Sequence, residues 1–335
     1  MSVLRSSACS EQTKNQESRS RAHRGKEDMK IFDLHCDTIL ACETEKKELY
    51  KNDLQVDLQK MKKGEAFAQC FAMFLDQRSC EEMHVPPYER YRQLYGYLQK
   101  ELAKNSSLIS QAKSGKEILK NYGEGKISAI VTVEGGEVLE GNLGRLDDLH
   151  QDGVRLMTLT WNYENEIGYP HEIGGGLKNF GFETVSRMNE LGMVVDVSHL
   201  SDEGFWDVVR TSKSPIAASH SCARSLCNNS RNLTDEMMHA IGEQGGVIGL
   251  NYFCEFLDKI ERNSTCAMVL EHAKRIVRCA GIESLALGSD FDGIEGSLEW
   301  KDYAGIQMVI DYLHREFTYD QLEKICFKNA MRIFA

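Results

Sequence analysis

An α/β protein of the TIM, or (β/α)8, barrel type is predicted by three features of the chain: eight short runs rich in β-branched and aromatic residues, a polar helix-spaced stretch after most of them, and metal-ligand residue types at the ends of the runs. The runs are residues 31–37, 66–75, 127–134, 154–161, 193–199, 215–220, 246–252 and 285–290. Between them, apolar residues recur at a spacing near 3.6, which predicts helices over 146–150, 182–191, 202–209, 234–241, 266–279 and 303–314. A last helix, 319–334, is expected to close the structure. Strands that alternate with helices form a parallel sheet, and in such a barrel the active site sits where the strands end. Ligand-type residues should therefore gather at strand ends.

Composition narrows the function classes. Of 335 residues, 41% are apolar and 27% charged, the profile of a globular chain with a sizeable core. Forty basic against fifty-one acidic residues leave a net charge of -11, which argues against a nucleic-acid or anionic-membrane partner, since both need clustered positive charge. Eleven cysteines are scattered, mostly in apolar surroundings, with no Cys-x-x-Cys pair. That usage fits reduced thiols and a cytoplasmic location, with Cys222 and Cys227 as packing residues. No apolar run reaches the roughly eighteen residues of a membrane span, and no secretory h-region is visible. Residues 1–28 are polar and aperiodic, so they are expected to be a disordered extension ahead of Met29, with 29–335 as the barrel catalytic domain.

The expected gathering occurs. The first run ends in His35-x-Asp37, the third in Glu134 before Gly135-Gly136, the fifth in His199, the sixth in His220 and the eighth in Asp290. Residues i and i+2 of a strand share a face, so His35 and Asp37 can turn to one ion. A His, a carboxylate and a bridging Glu suit a zinc-type ion, and two further His complete a second. Each residue has a bland reading, such as Glu134 capping the next helix or Asp290 serving a turn, but five of eight runs ending this way is not covered by separate structural explanations. Two ions sharing a carboxylate activate a water and polarise a carbonyl, which is hydrolysis chemistry. Asp290 is then the candidate proton carrier, and Arg231, on the loop after the sixth run, the candidate cation for a substrate carboxylate or an oxyanion.

The strings Asp33-Leu34-His35-Cys36-Asp37-Thr38, Val133-Glu134-Gly135-Gly136, Asp196-Val197-Ser198-His199, Ser219-His220-Ser221 with Arg231-Asn232, and Gly288-Ser289-Asp290-Phe291-Asp292-Gly293 resemble those of the membrane (renal) dipeptidase family, in order and from about residue 30 to the end. The resemblance implies an amidohydrolase-like barrel and a dinuclear zinc dipeptidase. His35 and Asp37 would bind one zinc ion, His199 and His220 the other, and Glu134 would bridge them, with the attacking hydroxide bound between the two ions. Arg231 would bind substrate and Asp290 would act as the catalytic acid. It also implies small dipeptide substrates, tolerance of a D-residue at their C-terminal position, and a homodimer. One departure stands out: animal members carry a His at the end of the fourth strand, where this chain reads Leu159-Thr160-Trp161-Asn162. Trp161 and Asn162 are accordingly expected to line the substrate site, with Asn162 or Asn165 replacing that His, or Trp161 simply packing the wall. The glycine-rich stretch 172–176 reads as a lid or a flexible turn. Other readings are an amidohydrolase acting on a lactone, cyclic amide or deaminase substrate, and a metal-binding barrel without catalysis.

Overall fold

Eight parallel strands close on themselves: β1 (Ile31–Asp33), β2 (Ala66–Phe74), β3 (Ile127–Glu134), β4 (Val154–Thr158), β5 (Val194–Asp196), β6 (Ala217–Ser221), β7 (Val247–Leu250) and β8 (Leu285–Leu287). Each pairs in parallel with the next, and β8 returns to β1 through Leu287 opposite Asp33. The computed structural model describes residues 29–260 and 262–335, so the extension expected over 1–28 lies outside the described residues.

Two apolar layers follow from strand alternation. Phe32, Ala68, Cys70, Ile130, Leu156, Val194, Ala217, Val247 and Ala286 form one buried cluster, filling the barrel with small and large apolar side chains together. Their neighbours in sequence, such as Val131, Met157, Val195, Ile248 and Leu287, pack in a larger cluster with the surrounding helices. The C-terminal segment plugs one end, where Phe334 stacks on Phe32 at 5.5 Å between ring centres.

The predicted helices are present with small shifts in their ends. Ser201, Thr234, Thr265 and Thr318 cap helices with their side-chain oxygens, and Thr318 forms a reciprocal capping box with Gln321. The last helix runs through with a change of pitch: Tyr319–Glu323 and Asn329–Ile333 flank a widened π turn, Lys324–Lys328. Next to that turn, Asn329 donates to the carbonyls of Ile282 and Leu285, drawing the helix onto the barrel.

The segment between β2 and β3 holds structure the sequence reading did not place: helices Gln77–Met83, Pro87–Lys104 and Gly115–Gly123, and a short strand, Ile109–Gln111, paired on the flank of β3. Pro87–Lys104 is amphipathic, burying Tyr91, Leu94, Leu98 and Leu102 at helical spacing.

Several strands are shorter than expected. β5 stops at Asp196 and β8 at Leu287, after which His199 and Asp290 adopt φ of 66° and 62° and leave the ladder. The chain likewise bends at Leu34 after β1, before Cys36 bridges to Phe291.

The strands β6, β7 and β8 approach closely behind the barrel mouth. A methyl group on Gly249 or on Gly288 would stand 1.9 Å from the Ser219 carbonyl oxygen. Backbone would have to move, so Gly249→Ala or Gly288→Ala is expected to cost about 1–3 kcal/mol, read as a lower urea midpoint at unchanged slope.

Candidate metal centre

The mouth collects six groups from five of the eight strands. His35 and Asp37 follow β1, Glu134 ends β3, His199 lies just past β5, His220 is within β6 and Asp290 follows β8. None is more than 8% exposed. The left-handed backbone of His199 and Asp290 is unfavourable for residues with a β-carbon and is imposed by the surrounding contacts.

Glu134 stands at the middle. Its Oε2 lies 3.4 Å from His35 Nε2, and its Oε1 lies 2.9 Å from His199 Nε2 and 3.4 Å from His220 Nε2. On the far side of His35, the Nε2 atom is 3.5 Å from Asp37 Oδ2 and 3.8 Å from Asp290 Oδ1. The Nε2 atoms of His199 and His220 face each other at 3.0 Å. Among the described residues, His35, Glu134 and His220 form one group able to hold an ion, and His35, Asp37 and Asp290 another. His35 Nε2 and Asp37 Oδ1 are buried with no hydrogen-bond partner. Imidazole and carboxylate donors converging in this way, with polar atoms left over, fit divalent ions of the zinc type.

The outer nitrogens of two histidines are spoken for. His220 Nδ1 lies 2.7 Å from Ser219 Oγ, which itself donates to Asp196 Oδ2 at 2.5 Å. Ser219 Oγ therefore accepts the His220 Nδ1 proton, and the Nε2 lone pair turns inward. Asp196 also accepts from the amides of Ser198 and Ser219 and the hydroxyl of Thr158. Across the mouth the motif repeats: Asp33 accepts from the amide and hydroxyl of Ser289, the residue before Asp290. Sequence reasoning passed over Asp33, Asp196, Ser219 and Ser289. The available signal was a serine directly before a ligand candidate, with an aspartate a few residues ahead of the histidine on the adjoining strand.

Burial sets the electrostatics. It pushes Asp37 up to about 7, with Glu134 adding to the shift and His35 opposing it. Asp290 is raised for the same reason. Burial opposes ionisation of Glu134 too, but His35, His199 and His220 hold it well below the usual carboxylate range. Burial likewise lowers His199, to about 4 with help from Arg231, and His220 well below its ordinary range. Burial opposes the charge of His35 as well, but Glu134 and Asp37 outweigh it and raise His35 well above its ordinary range. Three buried carboxylates against a single histidine that favours its charged form call for further positive charge.

Arg231 is 5% exposed, with Nε unpartnered and Nη2 3.4 Å from the His220 carbonyl. Its guanidinium carbon sits 5.2 Å from the Phe256 ring centre. Asp290 Oδ2 accepts from Asn251 at 2.8 Å. Trp161 packs against Phe74 and Tyr163, its ring centre 6.2 Å from that of His199. Asn162 points its carboxamide oxygen at His199 Nδ1, 2.8 Å away. Asn165 is buried and spent on its own loop, accepting from Ile167 and Gly168 and donating to Leu159 and Glu137. Cys222 and Cys227 face different carbonyls, those of Asn251 and Glu255, and are free thiols.

The family model described as membrane dipeptidase (peptidase family M19) matches residues 19–335. The chain belongs to the membrane dipeptidase family. Membership makes it a metal-dependent hydrolase of the dipeptidase class. An uncharacterized protein in the pqqA 5′ region of Klebsiella pneumoniae is 34% identical over 224 residues, 63% of this chain and 82% of that protein. An uncharacterized dipeptidase of Schizosaccharomyces pombe is 32% identical over 220 residues, 63% of this chain and 53% of that protein, so the match spans about half the yeast protein's length. A metallopeptidase from Rhodobacter sphaeroides, liganded with a phosphinate mimic of the dipeptide L-Ala-D-Ala, superposes with a TM-score of 0.85 at 23% identity, covering 92% of this chain and 99% of that one. The metallopeptidase dipeptidase AC of family M19 gives 0.85 at 24%, covering 92% and 98%. At these identities the likeness is one of fold, a (β/α)8 barrel.

Beside the centre of this dipeptidase-family barrel lies a cleft of about 790 Å³, lined among others by Glu81, His84, Glu137, Asn165 and Lys178 and by none of the ligand candidates. Glu137 is buried there in the turn after Glu134, and burial pushes it up to about 7, with Glu134 adding to the shift and the Asn165 hydrogen bond opposing it. A carboxyl raised from 4.5 to about 7 on folding binds its proton more tightly in the folded state, so stability falls as pH rises between those values, by roughly 3 kcal/mol in all. Glu137→Gln removes the titration. In thermal melts the variant is expected to exceed the parent at about pH 8 and to lose that advantage at about pH 5.

Proposed function

We propose that this chain is a dinuclear zinc dipeptidase in which Glu134 bridges two zinc ions, His35 and Asp37 hold one, and His199 and His220 hold the other. The observation that carries the reading is the division of the Glu134 carboxylate, one oxygen toward His35 and the other toward the His199 and His220 pair. When bound, the zinc pair supplies an acidified attacking water and a polarised scissile carbonyl.

The protein's own groups do the rest. Arg231, buried and with an unpartnered Nε, receives the free carboxylate of the dipeptide and orients the peptide bond over the centre. Asn251 engages Asp290 Oδ2, which leaves Oδ1, on the His35 side, to take a proton from the attacking water and return it to the leaving amine. A carboxyl raised above its ordinary range by burial holds a proton more readily than an exposed one, which suits that exchange. Trp161 walls the pocket next to His199. Tolerance of a D-residue at the C-terminal position, assembly as a homodimer and a cytoplasmic location complete the proposal. The free, mostly buried cysteines support a reducing compartment, and no helix among the described residues is long and apolar enough to cross a membrane.

The test is release of amino acids from L,L- and L,D-dipeptides by purified protein, with metal content measured in parallel. Chelation is expected to abolish turnover and two zinc ions per chain to restore it. Asp290→Asn is expected to lower kcat about 10²–10⁴-fold while both ions stay bound. Two bound ions without peptide turnover would shift the reading to another amidohydrolase substrate, and no bound ion would sink it.

A further inference from the structure

His199 keeps a left-handed backbone, and the loop following β4 is what holds it there. The His171 amide donates to the His199 carbonyl at 2.8 Å, the Ser201 amide donates to the Tyr169 carbonyl at 3.0 Å, and Pro170 bridges to Leu200. The loop is stapled along that stretch. Side chains repeat the attachment: Asn162 Oδ1 lies 2.8 Å from His199 Nδ1 and 3.3 Å from His171 Nε2, while His171 Nδ1 lies 2.7 Å from Ser230 Oγ.

The direction of these bonds follows from atom types. A carboxamide oxygen only accepts, and it has two lone pairs. Both rings therefore donate to Asn162, from His199 Nδ1 and from His171 Nε2. That leaves His171 Nδ1 without a proton, so it accepts from the Ser230 hydroxyl. His199 Nε2 keeps its lone pair, 2.9 Å from Glu134 Oε1 and 3.0 Å from His220 Nε2. Ser230 directly precedes Arg231.

We propose that Asn162, His171 and Ser230 are positioning residues that fix His199 as an Nε2 ligand and tie it to the loop carrying Arg231, so that an ion ligand and the substrate's carboxylate contact are set together. This deepens the two-zinc reading and rests on it. Neither His171 nor Ser230 touches the reacting atoms. Their effect passes through His199 on one side and Arg231 on the other.

The experiment uses the full chain, with zinc affinities from competition against a chromophoric chelator and with kcat and KM for a dipeptide. Asn162→Leu keeps the bulk but removes the acceptor. It is expected to weaken one of the two zinc ions about 10–100-fold and to spare the other. Asn162→Asp is expected to restore that affinity, because a carboxylate accepts the same N–H. His171→Ala and Ser230→Ala, at half-buried and exposed positions, are expected to raise KM more than they lower kcat. Wild-type affinity for both ions in a folded Asn162→Leu protein, or an Asn162→Asp protein as impaired as Asn162→Leu, overturns the proposal. Should Asn162→Leu fail to fold, the other variants decide: unchanged KM in both His171→Ala and Ser230→Ala overturns it. A parent protein that takes up fewer than two zinc ions removes the two-zinc reading as well, an outcome visible before any variant is measured.

Discussion

The carboxylate of Glu134 ends the third strand with one oxygen facing His35 and the other facing His199 and His220, and the remaining geometry is arranged around that division. A buried carboxylate is costly unless cations or donors surround it. Those donors arrive from β1, β5 and β6, which meet Glu134 only because the sheet closes: β8 pairs with β1, and the ladder runs unbroken from β3 through β6. Barrel closure is thus the structural condition for the centre.

Beneath the ligands lies a second tier. Asp196 at the end of β5 grips Ser219 of β6, and Asp33 at the end of β1 grips Ser289 past β8. In each case an aspartate on one strand seizes the residue that directly precedes a centre residue on its neighbour, His220 in one pair and Asp290 in the other. The buried charge of each aspartate is met by two or more donors, the arrangement that makes such burial tolerable.

The loop after β4 has polar residues that, read in sequence, look available to a substrate. In the fold Asn165 closes its own turn, Asn162 meets His199, and His171 reaches both Asn162 and Ser230. Loops satisfy their backbone and side-chain polar groups locally before they can offer any to a ligand. Trp161 packs on aromatic neighbours, while the asparagines direct their carboxamides at protein groups.

By itself the sequence determined the eight-stranded barrel, the helices that follow the later strands, and the order and chemical type of the groups at His35, Asp37, Glu134, His199, His220 and Asp290. Those features are written in short periods, alternation within a strand and 3.6 spacing within a helix, and in residue types at strand ends. Where strands stop was less legible, because a residue such as His199 leaves the ladder through a backbone conformation its side chain does not announce. The helices between β2 and β3 were missed because their apolar positions sit in a long polar stretch without a strand to mark its middle. Only the tertiary structure decided that Ser219 and Ser289 are anchored by aspartates, that Asn162 serves His199, and that His171 joins two loops 59 positions apart. Hydrogen-bond partners of that kind depend on the path of the folded backbone, which carries no period that a sequence can show.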